Sequence, residues 1–435
     1  MRRGRGARWR AAVLGALVAV AAGACDDRAD ERAPSAPTPE STEPADEPDE
    51  PARVELADAT RAVWRRLPGR TQVEWRVPAS SNAPRWERTA RAWVHALNDA
   101  GGPATALLRP DETTERPAVR VRRGAETYAW EEASAGPHLE YRVARLLARA
   151  ADPPTRLGWF DPGRRMGRAR AALRGYRSEE VTLAEAISPD LDAVVVASPG
   201  PLTPARREHL RRYLETGGSV ALLGPGVDGG GTWPPTRVRI RDPGLAPLLG
   251  EWGVRLSPRL VLAEMSLRVP TPVPGGSRLP LPYPPAPVVC HCPAFSVPPP
   301  SAHRIALDAG QVPFPLALAI ELDAREDVDA EVVLRAERAW LEEDVAEAGP
   351  HVPWTPEGRE RSTRPMLIAL TRGAGDARRR LVVAASPFAD DAFVAEDRGY
   401  ADPLALLANV VDWLALPWEL VSLAPRRPPS PMWAF

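Results

Sequence analysis

One short cluster of the sequence carries the side chains of a metal-ligand set. Cys290, His291 and Cys292 are consecutive, and His303 follows downstream. Two thiolates and an imidazole can hold Zn²⁺ or Cu⁺, but a Cys-x-Cys pair alone does not spread four ligands tetrahedrally. In an exported chain the two cysteines can instead be oxidised, to each other or to a partner. We favour a disulfide or an inert pair for Cys290 and Cys292, with metal binding and redox catalysis as alternatives, and we predict no resident metal or cofactor.

A second place for chemistry is the turn Ser198-Pro199-Gly200, which follows an unbroken apolar run. A nucleophile can stand at such a strand-to-helix turn. The proline after Ser198 has no backbone N–H with which to build an oxyanion hole. The glycines at 224–226 and 229–231 have neither P-loop nor dinucleotide spacing. We therefore predict no catalytic residue, and we interpret these segments as turns at strand ends and the acidic pair Asp390-Asp391 as solvated.

The composition excludes several classes of protein. All 56 basic side chains are arginine, because the 435-residue sequence contains no lysine. A P-loop needs a lysine on the phosphates, and a pyridoxal enzyme needs one for its Schiff base. The formal net charge of −1 gives no reason to expect a nucleic-acid partner. The 51 prolines indicate long extended or linker segments.

The first residues have the pattern of an export signal. Residues 1–10 carry five arginines, residues 11–24 are uncharged, and small residues precede Cys25. This order predicts a secretory signal, with an uncleaved anchor as the alternative. Ala22-Gly23-Ala24-Cys25 resembles a bacterial lipobox, which implies acylation of Cys25 (palmitate-type chains) and anchoring to a membrane on the extracytoplasmic, periplasmic side.

The residues after Cys25 predict a tether. Residues 26–51 contain ten acidic side chains, two arginines and six prolines, and no large apolar residue. Such a segment cannot bury a core and repels itself, so we expect a disordered chain that lifts the folded part away from the membrane.

The sequence predicts two folded regions, and any functional residue is expected to lie on one of them. Residues 53–152 are predicted to form a small α/β domain of thioredoxin size. Trp86 and Trp93 are expected on the same face of one helix, directed toward the core. From residue 153, strands alternate with helices at the spacing of a doubly wound, Rossmann-like parallel sheet. Residues 270–300 contain 12 prolines and predict an exposed insertion. Trp233, Trp354 and Trp418 lie beside prolines and suit either local packing or contact with a protein or glycan.

Three passages together resemble a known family. They are VELADATRAVWRRLPGRTQVEWRVP (54–78), DAVVVASPGPLTPARREHLRRYLETGGSVALLGPG (192–226) with LAPLLGEWGVRLSPRLVLAE (245–264), and RRLVVAASPFADDAF (379–393) with LALLANVVDWLALPWELVSLAPR (404–426). Their order and patterns resemble the GldG family, extracytoplasmic accessory subunits of gliding-motility and uncharacterised ABC-type transport systems. The second region is also similar to the class I glutamine amidotransferase fold, although its turns contain no cysteine.

The resemblance implies an α/β protein that acts by binding ABC permease or ATPase components and is not an enzyme. The alternatives are a cryptic hydrolase or amidotransferase-like enzyme and an envelope module that binds a sugar or a metal. The predicted organisation is a signal peptide (1–24), a tether (25–52), a thioredoxin-like domain (53–152), a GldG-like domain (153–423) with the insertion 270–300, and a loose tail (424–435).

Overall fold

A computed structural model of the chain describes most residues from Val54 to Leu423, which lie in one compact unit. The described ranges are 54–78, 84–111, 116–131, 138–151, 154–173, 175–229, 234–235, 237–272, 277–290, 303–307, 309–343, 345, 347–350, 352–374, 378–394 and 403–423. The predicted signal peptide, Cys25, the tether and the tail lie outside them. Among the described residues, no helix combines the length and the apolar character needed to cross a membrane.

The N-terminal region is a four-stranded sheet with helices packed against it. Its strand order is β2-β1-β3-β4, with β1 parallel to β2 and the other pairs antiparallel. The elements are α1 (Asp58–Arg65), β1 (Thr71–Pro78), α2 (Pro84–Asp99), β2 (Thr105–Asp111), β3 (Ala118–Arg123), β4 (Glu126–Glu131) and α3 (Leu139–Ala150). Residues 54–56 lead into α1, where the Glu140 carboxylate accepts a hydrogen bond from the Ala57 amide at 2.6 Å.

Tryptophans form the core of this region. Trp75 of β1 is fully buried, and its ring lies 5.6 Å from those of Trp86 and Trp93 on α2. The core positions predicted for Trp86 and Trp93 are therefore confirmed. Offset aromatic contacts at this distance add to the hydrophobic gain from burial.

After the N-terminal region, the described residues form a nine-stranded sheet in the order β15-β11-β16-β17-β18-β8-β7-β5-β6, with helices, a two-stranded sheet and a three-stranded sheet beside it. Its first elements are β5 (Arg156–Phe160), α4 (Gly167–Ala172), β6 (Arg177–Glu180), β7 (Ala193–Ala197), α5 (Pro204–Glu215), β8 (Ser219–Leu223), β9 (Val227–Asp228), β10 (Arg239–Ile240), α6 (Ala246–Glu251) and β11 (Val254–Ala263). The later elements are β12 (Ser266–Pro272), β13 (Arg278–Cys290), β14 (Gln311–Pro313), β15 (Leu318–Leu322), β16 (Val328–Glu342), β17 (Ser362–Arg372), β18 (Arg379–Ala384), α7 (Pro403–Ala415) and α8 (Trp418–Val421).

The large sheet is mixed, so the prediction of a wholly parallel sheet is wrong in part. The strands from β18 to β6 pair in parallel, as expected from the alternation of strands and helices. The strands from β17 to β15 pair antiparallel. The antiparallel half arises because β16 and β17 form a long hairpin, which needs no crossover helix.

Apolar side chains cover both faces of the parallel strands. Along β7, Val195 packs into the core that holds α7, whereas Val194 and Val196 face the core that holds α5 and α6. This burial on both faces explains why the run from Ala193 to Ala197 has no polar interruption. Thr203 caps α5 by accepting a hydrogen bond from the Arg206 amide at 3.3 Å, as its sequence pattern predicts.

The proline-rich residues 270–300 begin in an ordered β-ribbon. β12 and β13 pair antiparallel, and β14 extends the sheet. Tyr283 anchors the ribbon: it is fully buried and donates a hydrogen bond to the Ala348 carbonyl at 2.5 Å. Residues 291–300 lie outside the described ranges.

A buried polar cluster joins the N-terminal region to the large sheet. The Asp412 carboxylate on α7 has no exposed surface and pairs with Arg145 and Arg149 of α3. Asn409, one turn earlier on α7, accepts a hydrogen bond from Arg145 and donates one to the Ile305 carbonyl at 3.1 Å. We call Arg145, Arg149, Asn409 and Asp412 the α3–α7 cluster.

Candidate functional site

A small cleft lies where the carboxyl ends of β5, β7 and β8 meet. β5 and β7 are neighbours in the sheet, and β6 and β8 lie on their outer sides. The chain therefore winds in opposite directions from this pair, which makes the gap between β5 and β7 a topological switch point, where open α/β sheets bind ligands. The cleft has a volume of about 130 Å³. It is lined by Asp161, Gly163, Arg165, residues 198–201 and 226–228, Arg241 and Pro243.

The loop after β5 forms one wall of the cleft. Asp161 is buried, and its two carboxylate oxygens accept hydrogen bonds from the amides of Arg165 at 3.1 Å and Met166 at 2.9 Å. Arg164 has a φ of 51°, so the chain turns back through the left-handed region before Arg165. The Asp161 carboxylate thus holds the loop that presents the Arg165 side chain.

The turn after β7 forms the opposite wall. Ser198 has a φ of 42°, a conformation that an L-residue other than glycine adopts at a cost. Its amide donates a hydrogen bond to the Leu223 carbonyl at 2.7 Å, which keeps the strained turn attached to β8. Strained backbone of this kind is concentrated at binding and catalytic sites.

The segment after β8 closes the cleft and positions Arg241. Gly226 has a φ of 87°, and a Cβ atom there would lie 2.7 Å from the Arg241 carbonyl oxygen. The Arg241 amide donates a hydrogen bond to the Gly226 carbonyl at 2.8 Å. Glycine is therefore required at 226, because any side chain would push Arg241 away from the cleft.

Two arginines and one carboxylate face each other in the cleft without forming close hydrogen bonds. Arg165 lies 3.8 Å from Asp228, and Arg241 lies 4.0 Å from the other oxygen of the same carboxylate. Charge-assisted N–H···O bonds are about 2.7–2.9 Å long. These side chains are about 40–50% exposed, so water reaches the gap between them. We call Arg165, Arg241 and Asp228 the cleft triad.

Asp390 and Asp391 support the cleft from behind. Burial raises the pKa of the Asp390 carboxyl above its usual range, against hydrogen bonding from the Ala392 amide and the charge of Arg165 3.9 Å away. The Asp391 carboxylate accepts hydrogen bonds from the amides of Gly167 and Arg168, each at 2.9 Å. The prediction that this pair is solvated is wrong for Asp390, which follows β18 into the interior.

Polar and charged side chains line much of the cleft. Its described lining contains no histidine or cysteine that could serve as a base or nucleophile beside Ser198. Nor do the described residues contain a group of His, Cys, Asp and Glu arranged to hold a metal ion. The lining offers guanidinium and hydroxyl donors, which bind and orient an acceptor.

The sequence-predicted ligand cluster lies elsewhere. Cys290 is the last residue of β13, where its backbone pairs with Gln311. Cys292 and His291 lie outside the described residues, so a disulfide or metal site at Cys290 and Cys292 stays a prediction. His303 is buried against the Trp413 ring, 5.5 Å away, beside the α3–α7 cluster and not in the cleft.

Trp354 and Trp418, for which the sequence allowed either local packing or a contact surface, are packed against neighbouring residues. The guanidinium of Arg378 lies 3.8 Å from the ring centre of Trp418, and Trp354 packs on the core beside α5 and α6. Trp233 lies outside the described residues.

Sequence reasoning placed Ser198 and Gly226 at strand ends but missed Asp161, Arg165, Asp228 and Arg241. The signal for Asp161 is its place directly after the last residue of an apolar strand. No sequence signal marks Arg241, because it reaches the cleft only through the pairing of β10 with β9.

The fold and the cleft define a doubly wound α/β protein with a polar site at its switch point. Residues 155–384 match the family described as "ABC-type uncharacterized transport system", whose members are auxiliary components of such systems. This match covers more than half of the chain and includes every strand from β5 to β18. The chain belongs to that family, as its resemblance to GldG-like proteins predicted.

Comparison with solved structures gives only distant likenesses. A ThuA-like protein from Bacteroides uniformis has 11% identity and a TM-score of 0.33, with 61% of this chain and 93% of that chain covered. The β-galactosidase of Bacillus circulans sp. alkalophilus has 12% identity and a TM-score of 0.29, with 74% of this chain covered. A β-galactosidase from Halorubrum lacusprofundi has 16% identity and a TM-score of 0.28, with 75% of this chain covered. The chain spans only 41% and 40% of these two enzymes. No curated protein matches the sequence significantly.

Proposed function

We propose that this chain is a lipid-anchored, extracytoplasmic subunit of an ABC-type transport system that acts by binding its permease. The observation that carries the proposal is the family match over residues 155–384, which makes the chain an auxiliary component of such a system. A gliding-related system is one form that this transport machinery takes in GldG-like proteins.

The anchoring part of the proposal rests on Cys25. A basic segment, an apolar segment and small residues precede this cysteine, and an acidic, proline-rich stretch follows it. Labelling cells with a palmitate analogue tests the acylation, with Cys25→Ser as the control. Label on the wild type and its loss in Cys25→Ser are expected, together with release of the variant from the membrane fraction. Equal labelling of both proteins would contradict the assignment.

Binding rather than catalysis is supported by the chemistry around Ser198. Pro199 has no amide hydrogen to stabilise an oxyanion, and the cleft lining supplies no histidine base. A cryptic hydrolase or amidotransferase at this turn requires Ser198 as its nucleophile. Labelling with a serine-directed fluorophosphonate probe tests this alternative. No labelling is expected, and labelling of the wild type that is lost in Ser198→Ala would favour the enzyme.

The proposal also assigns a fold to each of the two regions. The N-terminal strand order, with one parallel and two antiparallel pairs, supports a thioredoxin-like domain over residues 53–152. The parallel strands with helices on both faces support a likeness of residues 153–423 to the class I glutamine amidotransferase fold. These two domains, held together by the α3–α7 cluster, would act as one rigid body toward the permease.

The proposed contact surface is the ribbon of β12 and β13. Met265, Leu279 and Leu281 are 55%, 49% and 40% exposed, and these are the exposed large apolar side chains among the described residues. Leu279 and Leu281 project from the same face of β13, opposite Thr271 and Val269. Prolines at 280 and 282 remove backbone donors from that strand, so a partner would bind the side chains and not add a strand. We assign this face to the extracytoplasmic loops of the permease.

In-cell crosslinking followed by purification of the tagged chain and mass spectrometry tests this function. Permease or ATPase subunits are expected with the wild type and should be depleted in the double variant Leu279→Asp/Leu281→Asp. Ala184→Asp/Ala186→Asp is the matched control, because it adds the same charge at the same spacing on exposed residues after β6. Absence of transporter subunits from the wild-type sample would contradict the proposal, and equal recovery with both double variants would exclude the ribbon as the contact.

A further inference from the structure

The cleft triad combines two cationic side chains with one shared carboxylate, which lies beyond hydrogen-bond distance from both. Arg165 and Arg241 approach the two oxygens of Asp228 at 3.8 and 4.0 Å, distances longer than a hydrogen bond. Elsewhere on the surface, arginines close onto their acids, as Arg91 does onto Glu87 at 2.6 Å. The two guanidinium groups of the cleft therefore form no close hydrogen bond with this carboxylate.

The other acids around the cleft are occupied by backbone amides. Asp161 accepts from the amides of Arg165 and Met166, and Asp390 accepts from the amide of Ala392 at 2.9 Å. Neither forms a close hydrogen bond with Arg165, whose distance to Asp390 is 3.9 Å. Among the described carboxylates, Asp228 lies within 4.0 Å of both guanidinium groups, and it belongs to a two-residue strand.

A third donor stands on the opposite wall. Ser198 is held in a left-handed conformation at the end of β7, and it lines the same cleft as the two arginines. The backbone strain at Ser198 and Arg164 lies on the two loops that meet at the switch point. Strain retained on both walls of one cleft is expected where the geometry serves a ligand.

We propose that the cleft binds a small oxyanion, a carboxylate or a phosphate group, between Arg165 and Arg241 with Ser198 as a further donor. The guanidinium fork matches the oxygens of either group, and two arginines can bind one oxyanion from two sides. A volume of about 130 Å³ suits a single such group and not a drug-sized molecule. The Asp228 carboxylate holds the arginines in place when the cleft is empty and is displaced by the ligand.

This site does not depend on the proposed transport partner. It rests on the residues of the cleft alone, so a failure to find transporter subunits and a failure to bind an oxyanion are separate results.

Isothermal titration of the full chain with inorganic phosphate and, separately, with citrate tests the proposal. Both titrations are run at constant ionic strength in sodium chloride, because exposed charges are screened by salt. Saturable binding of at least one probe is expected, and binding of only one probe would identify phosphate or carboxylate as the chemistry recognised. Loss of a charge-assisted bond should make Arg165→Ala and Arg241→Ala roughly tenfold weaker or more.

Asp228→Asn is expected to change the affinity for the oxyanion in the direction opposite to the arginine variants. Removing the competing carboxylate should tighten binding several-fold, a result that misfolding cannot produce. Arg255→Ala is the control, because it removes an exposed, ion-paired arginine outside the cleft and should leave affinity unchanged. Absence of saturable binding by both probes at millimolar concentration, or binding that the cleft variants and Arg255→Ala change equally, would overturn the proposal.

Discussion

The α3–α7 cluster and the cleft triad use the same chemistry in two different ways. Each places two arginines around one aspartate. Asp412 has no exposed surface, and Arg149 approaches it at 2.6 Å. Asp228 is 40% exposed, and its arginines stay at 3.8 and 4.0 Å.

The difference lies in what completes each group. Asn409 accepts from Arg145 and donates to the Ile305 and Leu307 carbonyls, so the buried polar atoms on α7 are satisfied by protein. In the cleft, Arg165 and Arg241 are partly exposed, and the proposed oxyanion would complete their hydrogen bonding. A closed ion cluster fixes how two regions pack, because breaking it leaves buried charge. An open one can exchange its counter-ion, which is the requirement of a binding site.

The largest predicted effect concerns Asp412. In Asp412→Leu, Arg145 and Arg149 lose their carboxylate while they stay buried, so we expect a loss of about 3–5 kcal/mol in the free energy of unfolding. Urea denaturation measures it. Asp228→Leu is the matched control and should cost less than about 1 kcal/mol, because the cleft charges are exposed and screened. Equal losses in the two variants would remove the distinction between the regions.

The next effect is a pH dependence beside the α3–α7 cluster. Burial, and then the charge of Arg304, lower the pKa of His303 to about 4, although Glu331 lies 3.9 Å away. The folded state thus keeps His303 neutral at a pH where the unfolded chain takes up a proton. Stability is therefore complete above about pH 6.5 and falls as the pH drops toward 4, by about 3 kcal/mol at most.

The contribution of His303 can be isolated by substitution. His303→Gln should show a shallower fall of unfolding free energy across this pH window than the wild type. The same substitution at the exposed His95, which is 78% exposed beside Asp99, is the control and should leave the slope unchanged. A His303→Gln curve parallel to that of the wild type would refute the assignment.

The smallest effect concerns the strained wall of the cleft. Ser198→Gly should raise the free energy of unfolding by up to about 1 kcal/mol, because glycine adopts a φ of 42° without the steric cost that serine has. The gain is limited, since glycine also has more conformational entropy to lose. Thermal unfolding measures this change. A destabilised Ser198→Gly protein would mean that the serine side chain contributes more than its backbone strain costs.

Local sequence patterns predicted the elements well and the site poorly. The unbroken apolar run before Ser198 located β7, because burial on both faces of a sheet leaves a direct mark on the sequence. The sequence predicted an exposed insertion where β12 and β13 form a ribbon. Alternating prolines hide the strand period there, and the hydrogen bond from Tyr283 to the distant Ala348 leaves no local pattern.

The residues of the cleft could not be found locally, because long-range pairing brings them together. Asp161 and Ser198 meet only when β5 and β7 are neighbours, and Arg241 arrives through a two-residue strand. The prediction for Asp390 was wrong for a related reason. Two adjacent acids suggest solvent exposure, but Asp390 is buried in the turn that follows β18.

The central claim is that the cleft binds whereas the α3–α7 cluster holds the fold together. Its most direct test measures unfolding free energy and phosphate or citrate binding on the same two proteins, Asp412→Leu and the double variant Arg165→Ala/Arg241→Ala. We predict a crossed result, in which Asp412→Leu loses stability but still binds at temperatures where it is folded, and the double variant keeps its stability but loses binding. A double variant that unfolds as readily as Asp412→Leu, or that binds the oxyanion as tightly as the wild type, would contradict the account.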